Sequence, residues 1–373
     1  MKVVNVVGAR PNFIKIAPLI REMRKHSEII PVLVHTGQHY DVGMAGQFFE
    51  DLEIPPPDIS LDVGSGSHAH QTAEVMKRLE PVLEQEQPDL VLAVGDVNST
   101  LAAALTAAKL QIPVAHVEAG LRSFDRTMPE EINRLVTDAV AEYLFVTEES
   151  GIHNLLAEGV ERRKIYFVGN VMIDSLEASR RLWEHSPIHS QLGLSKGCYG
   201  VVTLHRPANV DNPRTLKGLI GAIASVAQYQ PIIFPVHPRT RKHLEAIEEL
   251  RSLLRFGDGI VQDTGIHCTD PLGYLDFMSL VAGARIILTD SGGIQEETSV
   301  LGIPCLTLRE NTERPVTLSH GTNHLVGTSP EKIVETAMRV LEAPLFPPSL
   351  PPLWDGQTSQ RIVAILLNHF HEE

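Results

Sequence analysis

Residues 286–297 read IILTDSGGIQEE, the pattern of a buried strand that ends in an anion site. The β-branched run favours a strand, and Gly292 with Gly293 let backbone N–H groups approach a ligand without a Cβ in the way. A helix that begins just after the glycines would turn the positive end of its dipole toward that ligand. Glu297 falls one turn into this helix, where a carboxylate can accept both hydroxyls of a ribose. The stretch therefore predicts a site for a nucleoside diphosphate.

A capped helix without a ligand is the alternative explanation of these residues. Asp290 or Ser291 would then accept a backbone hydrogen bond at the start of the helix. A capping box places Glu or Gln three residues after the serine, but Ile294 stands there. Capping therefore does not explain Glu296 and Glu297. Short glycine motifs on their own leave both alternatives open.

Outward from this stretch, short β-branched runs alternate with segments of helical periodicity. The predicted strands are 3–7, 32–36, 90–94, 114–117, 144–147, 165–168, 199–204, 231–236, 285–289 and 303–308. Repeated βαβ order indicates parallel sheets covered by helices on both faces. The expected fold class is α/β, with two Rossmann-like doubly wound domains that face each other across a cleft.

The alternation pauses between residues 175 and 198, where turn residues replace a clear strand. The expected domains are therefore 1–174, which carries the candidate acids, and 175–355, which carries the anion site. Five prolines between residues 343 and 356 exclude a helix there. The segment 356–373 then returns to a helical pattern and is expected to pack back on the first domain.

Composition excludes several classes of protein. The formal net charge of −14 argues against nucleic-acid and membrane partners, and no apolar stretch is long enough to span a bilayer. The 3 cysteines show no CxxC spacing. The 17 histidines are not grouped with further ligands at the spacing of a zinc site. Neither a disulfide framework nor a metal site is predicted, and the cytoplasm is the expected location.

Charged side chains follow three predicted strands of the first domain. Arg10 and Lys15 come after the first strand, Asp96 after the third and Glu118 after the fourth. Because the carboxyl ends of parallel strands meet at one edge, these residues suggest a site that handles charge. Each residue alone could instead be an ion-pair partner, a helix cap or a solvated side chain.

The second domain shows the same arrangement. His205 follows one strand within TLHRP, and His237 follows the next within PVHP. The loop RENTERP adds Arg309 and Arg314 after the last predicted strand. A lone histidine at a strand end is more often structural than functional, but two of them beside a phosphate-type turn favour a functional site.

Eight motifs together resemble the non-hydrolysing UDP-N-acetylglucosamine 2-epimerases. They are GARPNFIK, VGDVNST, HVEAGLRS, PEEINR, TLHRPAN, PVHP, LTDSGGIQEE and TERP, and they run in this order from residue 8 to residue 315. The resemblance implies the glycosyltransferase-B architecture, a cytoplasmic homodimer and the interconversion of UDP-GlcNAc and UDP-ManNAc. The implied route is elimination of UDP to 2-acetamidoglucal, followed by re-addition. No cofactor is expected.

The resemblance also implies roles for individual residues. The family's three essential acids match Asp96, Glu118 and Glu130, and the histidine thought to assist UDP departure matches His205. The basic pair near the diphosphate matches Arg10 and Lys15. The positions that hold the UDP portion match His237, Ser291, Gly292, Gly293, Glu297 and Arg314.

Other functions stay open at this point. The family's usual GTRPE is GARPN here, with Asn12 in place of Glu, and Asn12 could lie where sugar substituents are distinguished. Related enzymes act on UDP-linked 2,3-diacetamido uronic acids, which is the alternative substrate. A glycosyltransferase of the same fold and a UDP-sugar binding protein without catalysis are the further alternatives.

Overall fold

The computed structural model describes residues 1–8, 10–37, 54–257, 259–344 and 349–372. The chain divides into two compact units. The first unit comprises Met1–Ser179 together with Pro352–Glu373, and the second unit comprises Arg180–Pro351. Each unit alternates helices with the strands of one parallel sheet, so the α/β class with two Rossmann-like domains is confirmed.

The strands of the first unit are β1 (Lys2–Val7), β2 (Ile30–His35), β3 (Ile59–Ser60), β4 (Leu90–Val94), β5 (Val114–Ala119), β6 (Tyr143–Val146) and β7 (Ile165–Phe167). Its helices up to the boundary are α1 (Arg10–Met23), α2 (His68–Glu86), α3 (Asn98–Lys109), α4 (Pro129–Val140), α5 (Glu149–Ala157) and α6 (Val171–Ala178). Within the described residues the strand order is β3-β2-β1-β4-β5-β6-β7. Strand β4, LVLAV, is buried at every position, as expected of a strand covered on both faces.

The strands of the second unit are β8 (Gly200–Thr203), β9 (Pro231–Pro235), β10 (Leu254–Phe256), β11 (Gly265–Thr269), β12 (Ile286–Thr289), β13 (Cys305–Thr307) and β14 (Asn323–Leu325). Its helices are α7 (Arg180–Glu184), α8 (Ile188–Leu192), α9 (Pro207–Val210), α10 (Pro213–Val226), α11 (Pro238–Ala246), α12 (Tyr274–Ala282), α13 (Gly292–Leu301), α14 (Val316–Ser319) and α15 (Pro330–Glu342). The strand order over the described residues is β10-β11-β9-β8-β12-β13-β14.

Both sheets contain a point where the strand order changes direction. In the first unit β1 pairs with β2 on one side and with β4 on the other, and in the second unit β8 pairs with both β9 and β12. Ligands of open α/β sheets bind beyond the carboxyl ends of strands at such a point. The strand ends at β1, β4, β8 and β12 are therefore where a site is expected in each unit.

The last helix, α16 (Thr358–Glu372), belongs to the first unit. The buried carboxylate of Asp174 accepts the backbone N–H groups of Thr358 at 3.1 Å and Ser359 at 2.7 Å. The Trp354 indole donates to the carbonyl of Thr147 at 3.0 Å. Burial raises the pKa of Asp174 even though these backbone hydrogen bonds act in the opposite direction.

All ten predicted strands have counterparts in the structure, with ends within a few residues. Four strands, β3, β10, β11 and β14, were missed because they are short or carry a histidine or arginine in place of an apolar run. The segment without a clear strand, 175–198, contains the short helices α7 and α8. No helix in the described part of the chain combines the length and apolarity that a bilayer crossing requires.

Candidate active site

Lys15 and Glu118 form a buried ion pair in the first unit. Lys15 lies in the second turn of α1, Glu118 lies near the end of β5, and both side chains are at least nine-tenths buried. Glu118 has a φ of +78°, and the pairing register of β5 with β6 shifts between Val117 and Ala119. A left-handed backbone at a residue other than glycine costs roughly 1–3 kcal/mol and is typical of functional sites.

Gly95, directly after β4, makes room for this ion pair. Its φ is +69°, and a Cβ at this position would lie 2.9 Å from Lys15 Nζ. Asn12 lies beside it, only 1% exposed, and its side-chain amide donates to the carbonyl of Val94 at 2.6 Å. Asn12 therefore ties α1 to the end of β4, a structural role that the sequence did not suggest.

Asp96 follows Gly95 and pairs with Arg134 on α4. The NH1 group of Arg134 donates to Asp96 Oδ2 at 2.5 Å, and its NH2 group donates to Glu131 Oε2 at 2.6 Å. Glu131 also accepts the backbone N–H groups of Ser123 and Phe124, each at 2.9 Å. Burial alone would raise the pKa of Glu131, but the hydrogen bonds from Ser123 and Arg134 hold it below its usual value.

The neighbouring acid, Glu130, lies in the first turn of α4 and is half-buried. Its carboxylate makes no hydrogen bond or ion pair within the described parts of the chain. The structure thus separates the two acids of the PEE motif: Glu131 is held by Arg134, while Glu130 remains available. Arg10 is the first residue of α1, but its side chain lies outside the described residues.

A second buried network lies beneath Asp96 and Glu118. His116 Nδ1 is 2.6 Å from Asp138 Oδ1, and His116 Nε2 is 2.8 Å from the carbonyl oxygen of Gly95. Asp138 Oδ2 accepts the backbone N–H of Gly120 at 3.0 Å and pairs with Arg122 at 2.7 Å. Burial would raise the pKa of Asp138, but the charges of His116 and Arg122 lower it.

Sequence reasoning missed this network, although one signal was present. A strand covered on both faces should be apolar throughout, and VAHVEA contains a histidine between valines. A buried polar side chain requires a partner, so His116 implied one elsewhere in the chain. His116 contacts the carbonyl oxygen of Gly95, next to Asp96, and its partner Asp138 accepts the N–H of Gly120, two residues after Glu118.

In the second unit, Asp290 organises the loop that carries His205. Asp290 is fully buried at the end of β12 and accepts the backbone N–H groups of His205 and Arg206 and the amide of Asn209, at 3.0–3.2 Å. His205 Nδ1 lies 2.8 Å from Asp290 Oδ1, while the His205 side chain is 51% exposed. Burial would raise the pKa of Asp290, but the hydrogen bond and charge of His205 bring it below its usual value.

Helix α13 begins at Gly292 without a side-chain cap. Ser291 occupies the capping position but makes no side-chain hydrogen bond to the helix, and Asp290 binds the 205–209 loop instead. The capping alternative is therefore wrong. The first N–H groups of a helix have no intrahelical acceptors, so Gly292, Gly293 and Ile294 point donors beyond the helix end. An anion at this position would satisfy them.

Arg314 lies against the same helix end in a buried cluster of charges. Its Nε atom donates to Glu296 Oε1 at 2.5 Å, and its NH1 group donates to Glu313 Oε1 at 2.7 Å. Arg309 donates to the other oxygen of Glu313 at 2.8 Å. Burial alone would raise the pKa of Glu313, but the charges of Arg314 and Arg309 hold it well below its usual range. A Cβ on Gly292 would lie 2.8 Å from Arg314 NH1.

Two further predicted residues of the second unit occupy defined positions. Glu297 is buried in α13, 4% exposed. His237 caps α11, because its Nδ1 atom accepts the backbone N–H of Arg239 at 3.2 Å. The strand that precedes His237, β9, lies beside β8, which precedes His205. Their roles toward a nucleotide stay predictions.

Comparison with known proteins shows the family of this chain. The model of the family described as UDP-N-acetylglucosamine 2-epimerase matches residues 21–367. The chain is similar to a "UDP-N-acetylglucosamine 2-epimerase homolog" of Methanococcus maripaludis, with 45% identity over 99% of this chain and 100% of the relative. It is also similar to the UDP-2,3-diacetamido-2,3-dideoxy-D-glucuronate 2-epimerase of Pseudomonas aeruginosa, with 40% identity over 90% of this chain and 91% of that protein.

A solved structure shows the same likeness in three dimensions. It is the Methanocaldococcus jannaschii UDP-GlcNAc 2-epimerase in complex with UDP-GlcNAc and UDP, with a TM-score of 0.89 and 42% identity over 99% of this chain and 100% of that chain. Fold, motifs and comparisons agree over nearly the whole sequence. This chain belongs to the UDP-N-acetylglucosamine 2-epimerase family, a family of isomerases.

Proposed function

We propose that the protein interconverts UDP-GlcNAc and UDP-ManNAc by inverting C2 of the sugar. Membership of the family supports this proposal, as does the likeness to a relative that was solved with UDP-GlcNAc and UDP. The single observation that carries it is Glu118, a buried carboxylate held in a left-handed conformation and paired with Lys15. A protein that only bound an anionic sugar nucleotide would gain nothing from a strained carboxylate at the end of a strand.

The chemistry requires an elimination. The C2 hydrogen has no adjacent carbonyl group, so simple removal of the proton would face a very high barrier. In the elimination, a carboxylate takes the C2 proton and the C2–H electron pair becomes the C1=C2 double bond. The C1–O electron pair departs with UDP, leaving 2-acetamidoglucal. UDP then adds back at C1 while a proton reaches the opposite face of C2, which gives the epimer.

The acids of the first unit are assigned to proton transfer at C2. Asp96 is held by Arg134, Glu118 by Lys15, and Glu130 has a half-buried carboxylate that is available. Proton transfer by a positioned side chain accelerates a reaction by roughly 10²–10⁴-fold. Two faces of C2 require at least two such groups, which explains why more than one acid follows the strands.

The second unit is assigned to UDP, which must leave, remain bound and return. The uncapped start of α13 offers backbone donors to a phosphate group, and Gly292 and Gly293 keep that approach open. Glu297, Arg314 and His237 are proposed to hold the rest of the nucleotide. His205 is assigned to stabilise the departing phosphate, because charge develops on the leaving oxygen as the C1–O bond breaks.

The test is incubation with UDP-GlcNAc alone in D2O, without an acceptor or another nucleotide. We expect UDP-ManNAc to form and deuterium to appear at C2 of both sugars, by NMR. Group transfer that needs an acceptor, with no exchange in its absence, would replace the proposal with a glycosyltransferase. Tight binding without exchange for any UDP-sugar would indicate a protein that binds the nucleotide sugar without catalysis.

A second candidate substrate is UDP-2,3-diacetamido-2,3-dideoxy-D-glucuronate, favoured by the 40% identity to the Pseudomonas aeruginosa enzyme. The same experiment with this sugar separates the two. Exchange with the uronate and none with UDP-GlcNAc would change the substrate and keep the chemistry. A cytoplasmic homodimer completes the proposal, and light scattering of the purified protein would measure its mass in solution.

A further inference from the structure

The carboxylate of Asp290 can only accept hydrogen bonds in its present surroundings. Each of its oxygens faces donors: the backbone N–H groups of His205 and Arg206, the Asn209 amide and the His205 ring. The backbone N–H groups and the Asn209 amide offer only hydrogen, and the hydrogen bond and charge of His205 lower the pKa of Asp290 against the effect of burial. Asp290 is therefore ionised although it is fully buried.

This fixes the hydrogen on one nitrogen of the His205 ring. Because Asp290 accepts, Nδ1 must carry a hydrogen, and a neutral ring would then be the Nδ1–H tautomer. The second nitrogen, Nε2, is left at the other side of a ring whose side chain is 51% exposed. Within the described residues Nε2 has no hydrogen-bond partner. That atom is the one a ligand can meet.

Three charged groups surround His205: Asp290, Arg206 and Glu313. Asp290 is in direct contact with the ring, at 2.8 Å. Arg206 is the adjacent cation, but its Nε atom donates to the carbonyl of Asp290 at 3.1 Å, and its NH2 group lies 3.6 Å from Glu313 Oε1. Arg206 is thus partly balanced by Glu313, whereas the carboxylate of Asp290 acts on His205 directly.

We propose that Asp290 is a positioning residue that holds His205 through Nδ1, so that Nε2 of the protonated ring can donate to an anionic leaving group. This rests on the proposed function for the identity of that group, the phosphate oxygen of departing UDP. As the C1–O pair moves onto this oxygen, Nε2–H donates a hydrogen bond to it, and the C2 proton goes to a carboxylate. Asp290 itself touches neither the sugar nor the nucleotide.

The test begins with Asp290→Asn, which keeps the shape of the side chain and removes its negative charge. In the variant, kcat for C2 exchange should fall by about 10²–10⁴-fold, the range of a positioned proton donor. UDP affinity, measured by calorimetry, should change less than threefold. A kcat equal to that of the wild type would overturn the proposal.

A structural role alone would also lower activity, so a second variant separates the two. If Asp290 acts through His205, then adding Asp290→Asn to His205→Ala should cost less than threefold beyond His205→Ala alone. The proposal would be overturned if the loss of kcat in the double variant equalled the product of the losses in the two single variants. Asn209→Ala is the matched control, since Asn209 donates to Asp290 at 3.1 Å without touching the His205 ring. It should lower thermal stability and leave the Nδ1–H tautomer of His205 in place.

The ligand-free protein provides a readout that does not depend on the proposed function. Nitrogen-15 NMR of histidine should report the Nδ1–H tautomer for neutral His205 in the wild type. This preference for Nδ1–H should be lost in Asp290→Asn, because the side-chain NH2 of asparagine can donate to Nδ1. If these signals appear but no UDP-sugar exchanges, the proposed function fails and the Asp290–His205 relationship stands. If exchange occurs and the tautomer of His205 is the same in both proteins, this inference fails and the function stands.

Discussion

Arg134 holds the carboxylate of Asp96 at 2.5 Å with one arm of its guanidinium while the other arm binds Glu131. Arg134 is 2% exposed, so this bridge is shielded from solvent on the guanidinium side. Glu131 in turn fixes the backbone of Ser123 and Phe124. One arginine therefore sets the position of a predicted catalytic acid relative to the loop that follows Glu118.

In Arg134→Lys the rate of C2 exchange should fall by at least 10²-fold. The lysine ammonium group lacks the planar fork with which the guanidinium of Arg134 binds two carboxylates. UDP binding should remain near normal, as expected also for Asp96→Asn. Exchange rates in D2O and calorimetry with UDP would measure the two effects. Arg134→Met, which leaves Glu131 buried without its cation, should lower stability by about 3–5 kcal/mol. Wild-type exchange in Arg134→Lys would contradict this role.

Gly95→Ala should displace Lys15 from Glu118. The new methyl group would lie 2.9 Å from Lys15 Nζ, and the backbone φ of +69° adds strain of about 1–2 kcal/mol. Gly159→Ala is the matched control, since Gly159 has a φ of +86° with no atom within 4 Å of the added Cβ. Both variants should lose similar thermal stability from backbone strain. Only Gly95→Ala should lose exchange, and equal activity in the two would refute the steric argument.

Gly292→Ala should weaken UDP binding in the second unit. Its Cβ would lie 2.8 Å from Arg314 NH1 and 3.0 Å from Glu313 Oε1, so the start of α13 or the arginine must move. Gly221→Ala, inside α10 with open space around its Cβ, should gain about 0.5–1 kcal/mol of stability and bind UDP normally. Calorimetry with UDP should show at least a tenfold loss for Gly292→Ala. Unchanged affinity would mean that the helix start does not contact the nucleotide.

Asp138→Asn should show how the buried network depends on pH. The pKa of Asp138 is lowered from the ordinary 3.8, so its contribution is complete above pH 4 and is lost as the pH falls through the folded-state value. Urea unfolding at pH 7 should show a deficit of about 3–5 kcal/mol in the variant, because His116 and Arg122 lose their buried partner. The deficit should shrink below pH 4. A constant deficit down to pH 3 would contradict the linkage.

Much of the fold could be predicted because parallel strands buried on both faces leave a strong apolar signal. The runs at β4 and β12 show it, and the glycines that follow β12 begin α13. The short strand β14, NHL, left no such signal because pairing with β13 rather than composition makes it a strand. Such strands depend on contacts that sequence periodicity does not reveal.

The candidate site was predicted only in part, for a related reason. Lys15 and Glu118 could be placed at neighbouring strand ends from order alone, but their direct pairing could not. Asp290 was considered as a helix cap, whereas its side chain turns to the 205–209 loop, 81–85 residues earlier in the chain. Which residues become partners at such separations depends on the topology of the fold, and the local sequence pattern does not reveal it.

The attachment of α16 to the first unit affects the order in which the chain can fold as it is synthesised. The carboxylate of Asp174 binds the backbone N–H groups of Thr358 and Ser359. These two residues are synthesised only after the whole of the second unit. The first unit therefore stays without its closing helix until the second unit has been synthesised. Until then the carboxylate of Asp174 lacks the two backbone donors of α16.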